Sequence, residues 1–396
     1  MRLVIVSPYP PAVSGIGQYG FHVSCLLARS ALFSRITVLT SHDDLARVDL
    51  PHPIEVARGW RPDRWLAARG IVEKLQRIQP DLVWFNLGAS AFGRAPPTNL
   101  SGYSSVLQAH RAGFPTVVTL HEVPELADLR SLRVPGGIFA HIGARLLTSL
   151  ATNADVTCLT TRRHEDWLAV RHPKGRFVCI PLGAYGMPQL LPEPEAPELL
   201  LFTTLAPFKG VEVLLEAFQM LRPSHPDLWL TIAGVEHIRF PGYLGRLQRA
   251  FGSVAGVRWL GQVAETEVRG LFERAQLVIL PYTTSTGASS VLWQAATWGR
   301  AIVASDLDEI QVAASENEME ITFFHRGDAH SLMDAIETLL VSPEHRRAQA
   351  LRNLASLQNY RPQDTCRAYL SAFDLALEVR RSPKRIALPS FPGEPA

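Results

Sequence analysis

The chain is 396 residues long, with 47% apolar and 19% charged residues and a net charge of +2 at pH 7. This length exceeds one ordinary core and the apolar content excludes a disordered chain, so two domains of nearly equal size are expected. The four cysteines, Cys25, Cys158, Cys179 and Cys366, lie far apart without metal-ligand spacing, which suits idle thiols in a reducing compartment and points to no metal site.

The first residues, "MRLVIVSPYP", are a short strand and then prolines, without the basic flank and long apolar core of a secretion signal. No run is long enough to span a bilayer. The expectation is a cytoplasmic protein, at most peripheral at the inner face of a membrane. Short β-rich runs then alternate with stretches of helical period: Leu3–Val6, Ile16–Arg29, Ile36–Leu39, Arg64–Arg77, Leu82–Phe85, Thr116–Leu120, Val156–Leu159 and Phe177–Ile180. Residues 181–198, "PLGAYGMPQLLPEPEAPE", are rich in proline and glycine and read as a linker. The alternation restarts with Leu199–Phe202, Val211–Leu221, Leu228–Ile232, Val257–Leu260, Leu277–Leu280 and Ala301–Ala304. From Ser331 to Val379 the pattern is mostly helical, and the last residues read as a loose tail. Such alternation predicts an α/β chain of two doubly wound parallel-sheet domains facing a central cleft. The expected divisions are residues 1–184, a linker over 185–198, a second domain over 199–360, a helix over 361–380 packing back on the first domain, and a tail over 381–396.

Ligands of open α/β sheets bind beyond the carboxyl ends of the strands, which directs attention to four strand-to-helix junctions. In "SPYPPAVSGIGQYG", Gly15 and Gly17 let the backbone approach an anion at a helix start, or form a plain tight turn. "TVVTLHEV" ends a buried strand on His121, suited to donating to a hydroxyl or to proton transfer, or to a satisfied edge histidine. In "LLFTTLAPFKGVEVLLEAF", Lys209 and Gly210 precede a helix, so a full charge joins the helix dipole where a diphosphate would fit. The fourth, "STGASSVLWQAATWGRAIVAS", predicts a helix capped by Ser285 or Thr286 and stopped near Gly299. It bears Gly287, Ser289, Ser290 and Gln294 as donors and holds no carboxylate.

These four segments, in this order, resemble those of the GT-B glycosyltransferases, most closely the retaining enzymes of family 4, also called glycosyl transferases group 1. "VRWLGQVAETEVRGLFERAQLVILPY" and "GRAIVASDLDEI" are similar to that family's runs before and after the nucleotide site. The resemblance implies two Rossmann-like domains and metal-independent, hexosyltransferase-type transfer from a nucleotide-sugar, which is a substrate, so no cofactor is expected. It assigns Lys209 to the leaving diphosphate and His121 to the transferred sugar. Gly15, Gly17, Thr204, Gly210, Thr286, Gly287, Ser289, Ser290 and Gln294 would border the donor. The expected setting is polysaccharide biosynthesis, on a glycan, lipid-linked or small-molecule acceptor.

Three positions depart from the family's pattern. Thr286 and Gln294 stand where two glutamates eight positions apart are usual, and Thr204 replaces an arginine five residues before the lysine. A neutral Gln294 still bonds a ribose hydroxyl, at a loss of about 1 kcal/mol of charge assistance. The departures fit either altered donor recognition or an inactive binding or regulatory protein, and a nucleotide-sugar epimerase on the same fold is a further alternative. Asp306 and Asp308 imitate an Asp-x-Asp metal trap, but their place late in the second domain reads as a polar loop. Residues 57–70 interleave Trp60 and Trp65 with Arg61 and Arg64. This suits an acceptor or membrane side on the first domain as well as it suits a solvated helix. Residues 1–185 carry twenty Lys and Arg against thirteen Asp and Glu, in keeping with an anionic partner or with scattered surface charge. No nucleic-acid module is recognisable.

Overall fold

A computed structural model describes residues 1–10, 14–41, 50–284 and 287–381. They fall into two compact units, one of residues 1–182 with the helix Pro362–Arg381, the other of residues 183–361. The expected tail beyond residue 381 lies outside the described residues.

Unit 1 holds strands β1 (Arg2–Val6), β2 (Arg35–Thr40), β3 (Ile54–Arg58), β4 (Leu82–Leu87), β5 (Thr116–Leu120), β6 (Val156–Leu159) and β7 (Phe177–Cys179). They form a parallel sheet in the order β3-β2-β1-β4-β5-β6-β7. Unit 2 holds β8 (Glu198–Phe202), β9 (Trp229–Ala233), β10 (Val257–Gly261), β11 (Leu277–Leu280), β12 (Ala301–Ser305) and β13 (Thr322–Phe324). These run parallel in the order β10-β9-β8-β11-β12-β13. Helices cover both faces of such sheets, so the inner strands are mainly apolar, and β4, β5, β6 and β11 are buried along their whole length. Each unit has its own apolar core.

Two strands, β3 and β13, go beyond the sequence expectations. Both lie at a sheet edge, where IEVAR is interrupted by charged residues and TFF is only three residues long. Two helix starts are corrected. The helix expected over Arg64–Arg77 is Ala67–Ile78, because Asp63 takes a positive φ of 57° and turns the chain before it. The fourth-junction helix is Ser290–Thr297 with Ser289 as its N-cap. Ala288 therefore precedes it, since small residues fit a loop as readily as a first turn. No described helix is long and apolar enough to cross a membrane.

In both sheets the strand order reverses once, between β1 and β4 and between β8 and β11. At such a point the connections leave in opposite directions, which opens a crevice at the carboxyl ends.

The helix Pro362–Arg381 is tied to unit 1 by polar contacts at both ends. The Tyr369 hydroxyl meets those of Tyr19 and Thr119 at 3.0 Å each, and its ring packs on Trp84. Asp155, buried at the start of β6, accepts from Arg380 Nε at 2.9 Å and from the Thr116 backbone N–H at 2.8 Å. Removing the guanidinium leaves that carboxylate buried without its cation. Arg380→Ala is expected to lower unfolding stability by about 3 kcal/mol, read from the urea midpoint, whereas the exposed Arg367→Ala should change it by less than about 0.5 kcal/mol.

Candidate active site

At the reversal in unit 1, β1 leads through Ser7 to the helix Gly15–Arg29, whose N-cap Ser14 accepts from the Gly17 N–H at 3.2 Å. Gly17 is buried against the Pro8 backbone, where an added Cβ would lie at 3.2 Å, so close packing accounts for this glycine. Gly15 is the first residue of the helix and is exposed.

Asn86, an amide inside the otherwise apolar run of β4, organises this end of the sheet. Its Nδ2 donates to Ser7 Oγ at 2.8 Å and to the Ile16 carbonyl at 2.9 Å, which leaves Oδ1 to face His121 Nε2 at 2.6 Å. A carbonyl oxygen only accepts, so Nε2 carries the proton. Burial pushes the His121 pKa down to about 3, and the ring is neutral at pH 7. Its one N–H is thus engaged by Asn86, and Nδ1 is an acceptor. The expectation that His121 donates to a hydroxyl is corrected accordingly: it accepts. The Tyr19 ring meets it edge-on at 4.9 Å, and the adjacent Glu122 accepts from the Ala89 N–H at 2.6 Å.

At the reversal in unit 2, β8 leads to a single turn, Pro207–Lys209, and then to the helix Val211–Leu221. Gly210 between them has a φ of 65°, and an added Cβ would overlap the Pro281 carbonyl oxygen. Only glycine fits this approach. It brings the loop after β8 against the loop after β11, so the Lys209 ammonium lies 3.8 Å from the centre of the Tyr282 ring. The Tyr282 hydroxyl reaches Ser289 Oγ, the N-cap of Ser290–Thr297, at 3.4 Å. One tyrosine therefore links the cation on its face to the helix start at its hydroxyl. Beside them His237, in the loop after β9, is pushed down to about 4 by burial and then by the Arg239 and Lys209 charges.

Lys209, Gly210, Ser289 and Ser290 are thus gathered at one end of the unit 2 sheet. Thr204 and Gly287 are half-buried in the neighbouring loops. Gln294 is only 1% exposed, in a helix buried throughout from Val291 to Thr297. Thr286 lies outside the described residues. Asp306 accepts from the Arg326 N–H at 2.9 Å and from His325, a polar loop tie, while Asp308 opens a helix. No cluster of three or more metal-ligating side chains occurs among the described residues. Asn86 and Tyr282 were not singled out from the sequence. The signal for the first was a lone amide in a buried strand, and for the second an aromatic directly after one.

Residues 196–342 match the family model described as glycosyl transferases group 1. Over these residues the chain is similar to that family. A phosphatidyl-myo-inositol mannosyltransferase of Propionibacterium freudenreichii subsp. shermanii is 28% identical over 151 residues, 38% of this chain and 36% of that protein. One from Mycobacterium tuberculosis is 33% identical over 116 residues, 28% of this chain and 29% of its own. The chain spans less than half the length of these curated relatives. Among solved structures, sucrose-phosphate synthase from Thermosynechococcus elongatus superposes with a TM-score of 0.73 at 15% identity, over 96% of this chain and all of that one. Anabaena HepE in complex with UDP and glucose gives 0.70 at 16%, over 94% and 99%. The fold is GT-B, as the group 1 resemblance implied.

The unfolded His121 takes a proton near 6.5 and the folded one only near 3, so the unfolded state binds more protons in between. Stability is then fully present above about 6.5 and is lost as pH falls toward 3. His121→Gln, which does not titrate, should show a shallower loss between pH 7 and pH 4.5 in urea unfolding than the wild type.

Proposed function

We propose that this chain is a glycosyltransferase that moves a sugar from a nucleotide-sugar to an acceptor hydroxyl with retention at the anomeric carbon. One observation carries the reading: Lys209, the Tyr282 ring and Ser289 at a helix N-terminus are joined at the strand-order reversal of a domain similar to the group 1 family. A cation on an aromatic face, beside free helix N–H groups, is a receptor for a diphosphate. The similar proteins, among them a mannosyltransferase and a protein in complex with UDP and glucose, support a hexose on a nucleoside diphosphate as donor.

In this reading Lys209 and the hydroxyls and N–H groups at Ser289 and Ser290 stabilise the charge that develops on the leaving diphosphate. That stabilisation asks for no metal and no protein nucleophile. The departing phosphate oxygen takes the proton of the acceptor hydroxyl on the same face, which gives retention. At the unit 1 reversal His121, fixed by Asn86, offers its Nδ1 as an acceptor for a hydroxyl. Thr204, Gly210 and Gly287 border the donor, and Gly15 and Gly17 the acceptor side.

Lys209→Ala should weaken binding of a nucleoside diphosphate by about 10–100-fold, measured by calorimetry with chelator present. A wild-type protein that binds no nucleoside diphosphate or nucleotide-sugar from a panel of bases would sink the transferase reading and favour a regulatory binding role. Turnover of the sugar-nucleotide without any acceptor would favour an epimerase.

A cytoplasmic protein acting peripherally on a membrane agrees with one face of unit 1. On the helix Ile138–Ala151, Ile138 and Phe139 are 73% and 77% exposed, and Ile142 and Leu146 continue the apolar stripe. From Leu129 to Ala151 the chain carries Arg130, Arg133 and Arg145 and no acidic residue. An apolar stripe with basic flanks suits the headgroup region of an anionic bilayer. Phe139→Ser with Ile138→Ser should reduce co-sedimentation with anionic liposomes at least fivefold. An unchanged bound fraction would remove this surface from the reading.

A further inference from the structure

At the carboxyl end of the edge strand β3, away from the reversal between β1 and β4, unit 1 has a cavity of about 420 Å³. That lies within the roughly 300–1,000 Å³ usual for small-ligand sites. Its wall is cationic. Arg61, Arg64, Lys74 and Arg77 line it and make no ion pair among the described residues, and Arg58 stands at its base. Among the described residues one carboxylate, Glu73, shares this wall, where it pairs with Arg69 at 2.8 Å and feels the Arg77 charge, and the neighbouring Asp63 accepts from the Arg94 and Ala95 N–H groups at 2.6 and 3.3 Å. Gathering four such cations is unfavourable without a counter-charge.

Two tryptophans give the cavity a second character. Trp65 is 71% exposed and lies beside Leu66 on the rim, an apolar surface left in water. Trp60 is 4% exposed and lines the cavity, and its indole N–H is buried with no hydrogen-bond partner. Positive charge on four long side chains and an exposed aromatic rim together call for a ligand with a multiply charged acceptor group on an apolar or sugar body.

We propose that this cavity binds a phosphate ester, and that the ester is the part of the acceptor distant from the hydroxyl that receives the sugar. The guanidinium groups of Arg61 and Arg64 take the phosphate oxygens in bidentate fashion, Lys74 and Arg77 neutralise the remaining charge, and the body of the ligand lies on Trp65. The role as acceptor rests on the transferase reading. The binding itself does not.

The test uses the full chain and tryptophan fluorescence, titrated with inorganic phosphate, a hexose phosphate and a short prenyl phosphate. Saturable binding of at least one ester is expected, weakened at least tenfold in Arg61→Ala/Arg64→Ala. Both arginines are exposed, and circular dichroism and nucleoside-diphosphate binding should be unchanged. A hexose phosphate preferred over the prenyl ester identifies a soluble acceptor, and the reverse identifies a lipid-linked one that Trp65→Ala weakens further. No ester binding, or binding unaffected by the double substitution, overturns the proposal. If nucleoside-diphosphate binding persists in that case, the transferase reading stands without it.

Discussion

The contact between Gly210 and the Pro281 carbonyl is the constraint on which the unit 2 site depends. Strands β8 and β11 are neighbours, but their following helices leave in opposite directions, so the loops after them would diverge unless something held them together. A residue without a side chain at a positive φ allows the two backbones to touch. That contact sets Lys209 over the ring of Tyr282, and through the tyrosine hydroxyl it sets the height of the Ser290–Thr297 helix start. Charge, dipole and hydroxyl thus owe their common location first to one missing methyl group, across which the cation–π contact and the tyrosine hydrogen bond can then act.

Unit 1 solves the same topological problem with side chains. Asn86 spans the reversal, joining Ser7 after β1, the Ile16 carbonyl at the next helix and His121 after β5. Because an amide has distinct donor and acceptor ends, this network also fixes which ring nitrogen of the histidine is protonated. A side chain that looks like packing in sequence is therefore the one that determines what hydrogen bond the histidine offers.

Much of the architecture was legible because a parallel sheet covered on both faces writes uninterrupted apolar runs. Thr116–Leu120, Val156–Leu159 and Leu277–Leu280 could be bounded to the residue for that reason. Edge strands carry only half of that signal, and β3 and β13 escaped notice. Lys209 and Gly210 were legible from their place before an amphipathic helix. The partner ring of Tyr282 was not, because which face of a residue meets a ligand depends on a loop contact far away in sequence.

The return of Pro362–Arg381 to unit 1 means that unit 2 is, in chain order, an insertion within unit 1. Tyr369 and Arg380 finish a surface whose other half was made more than two hundred residues earlier. During synthesis the second unit can fold as soon as its own residues have emerged, while the first must wait with Trp84 and Asp155 uncovered until the final helix arrives. The earlier half of the polypeptide is thus the later one to mature, and it is the half with greater need of protection by a chaperone.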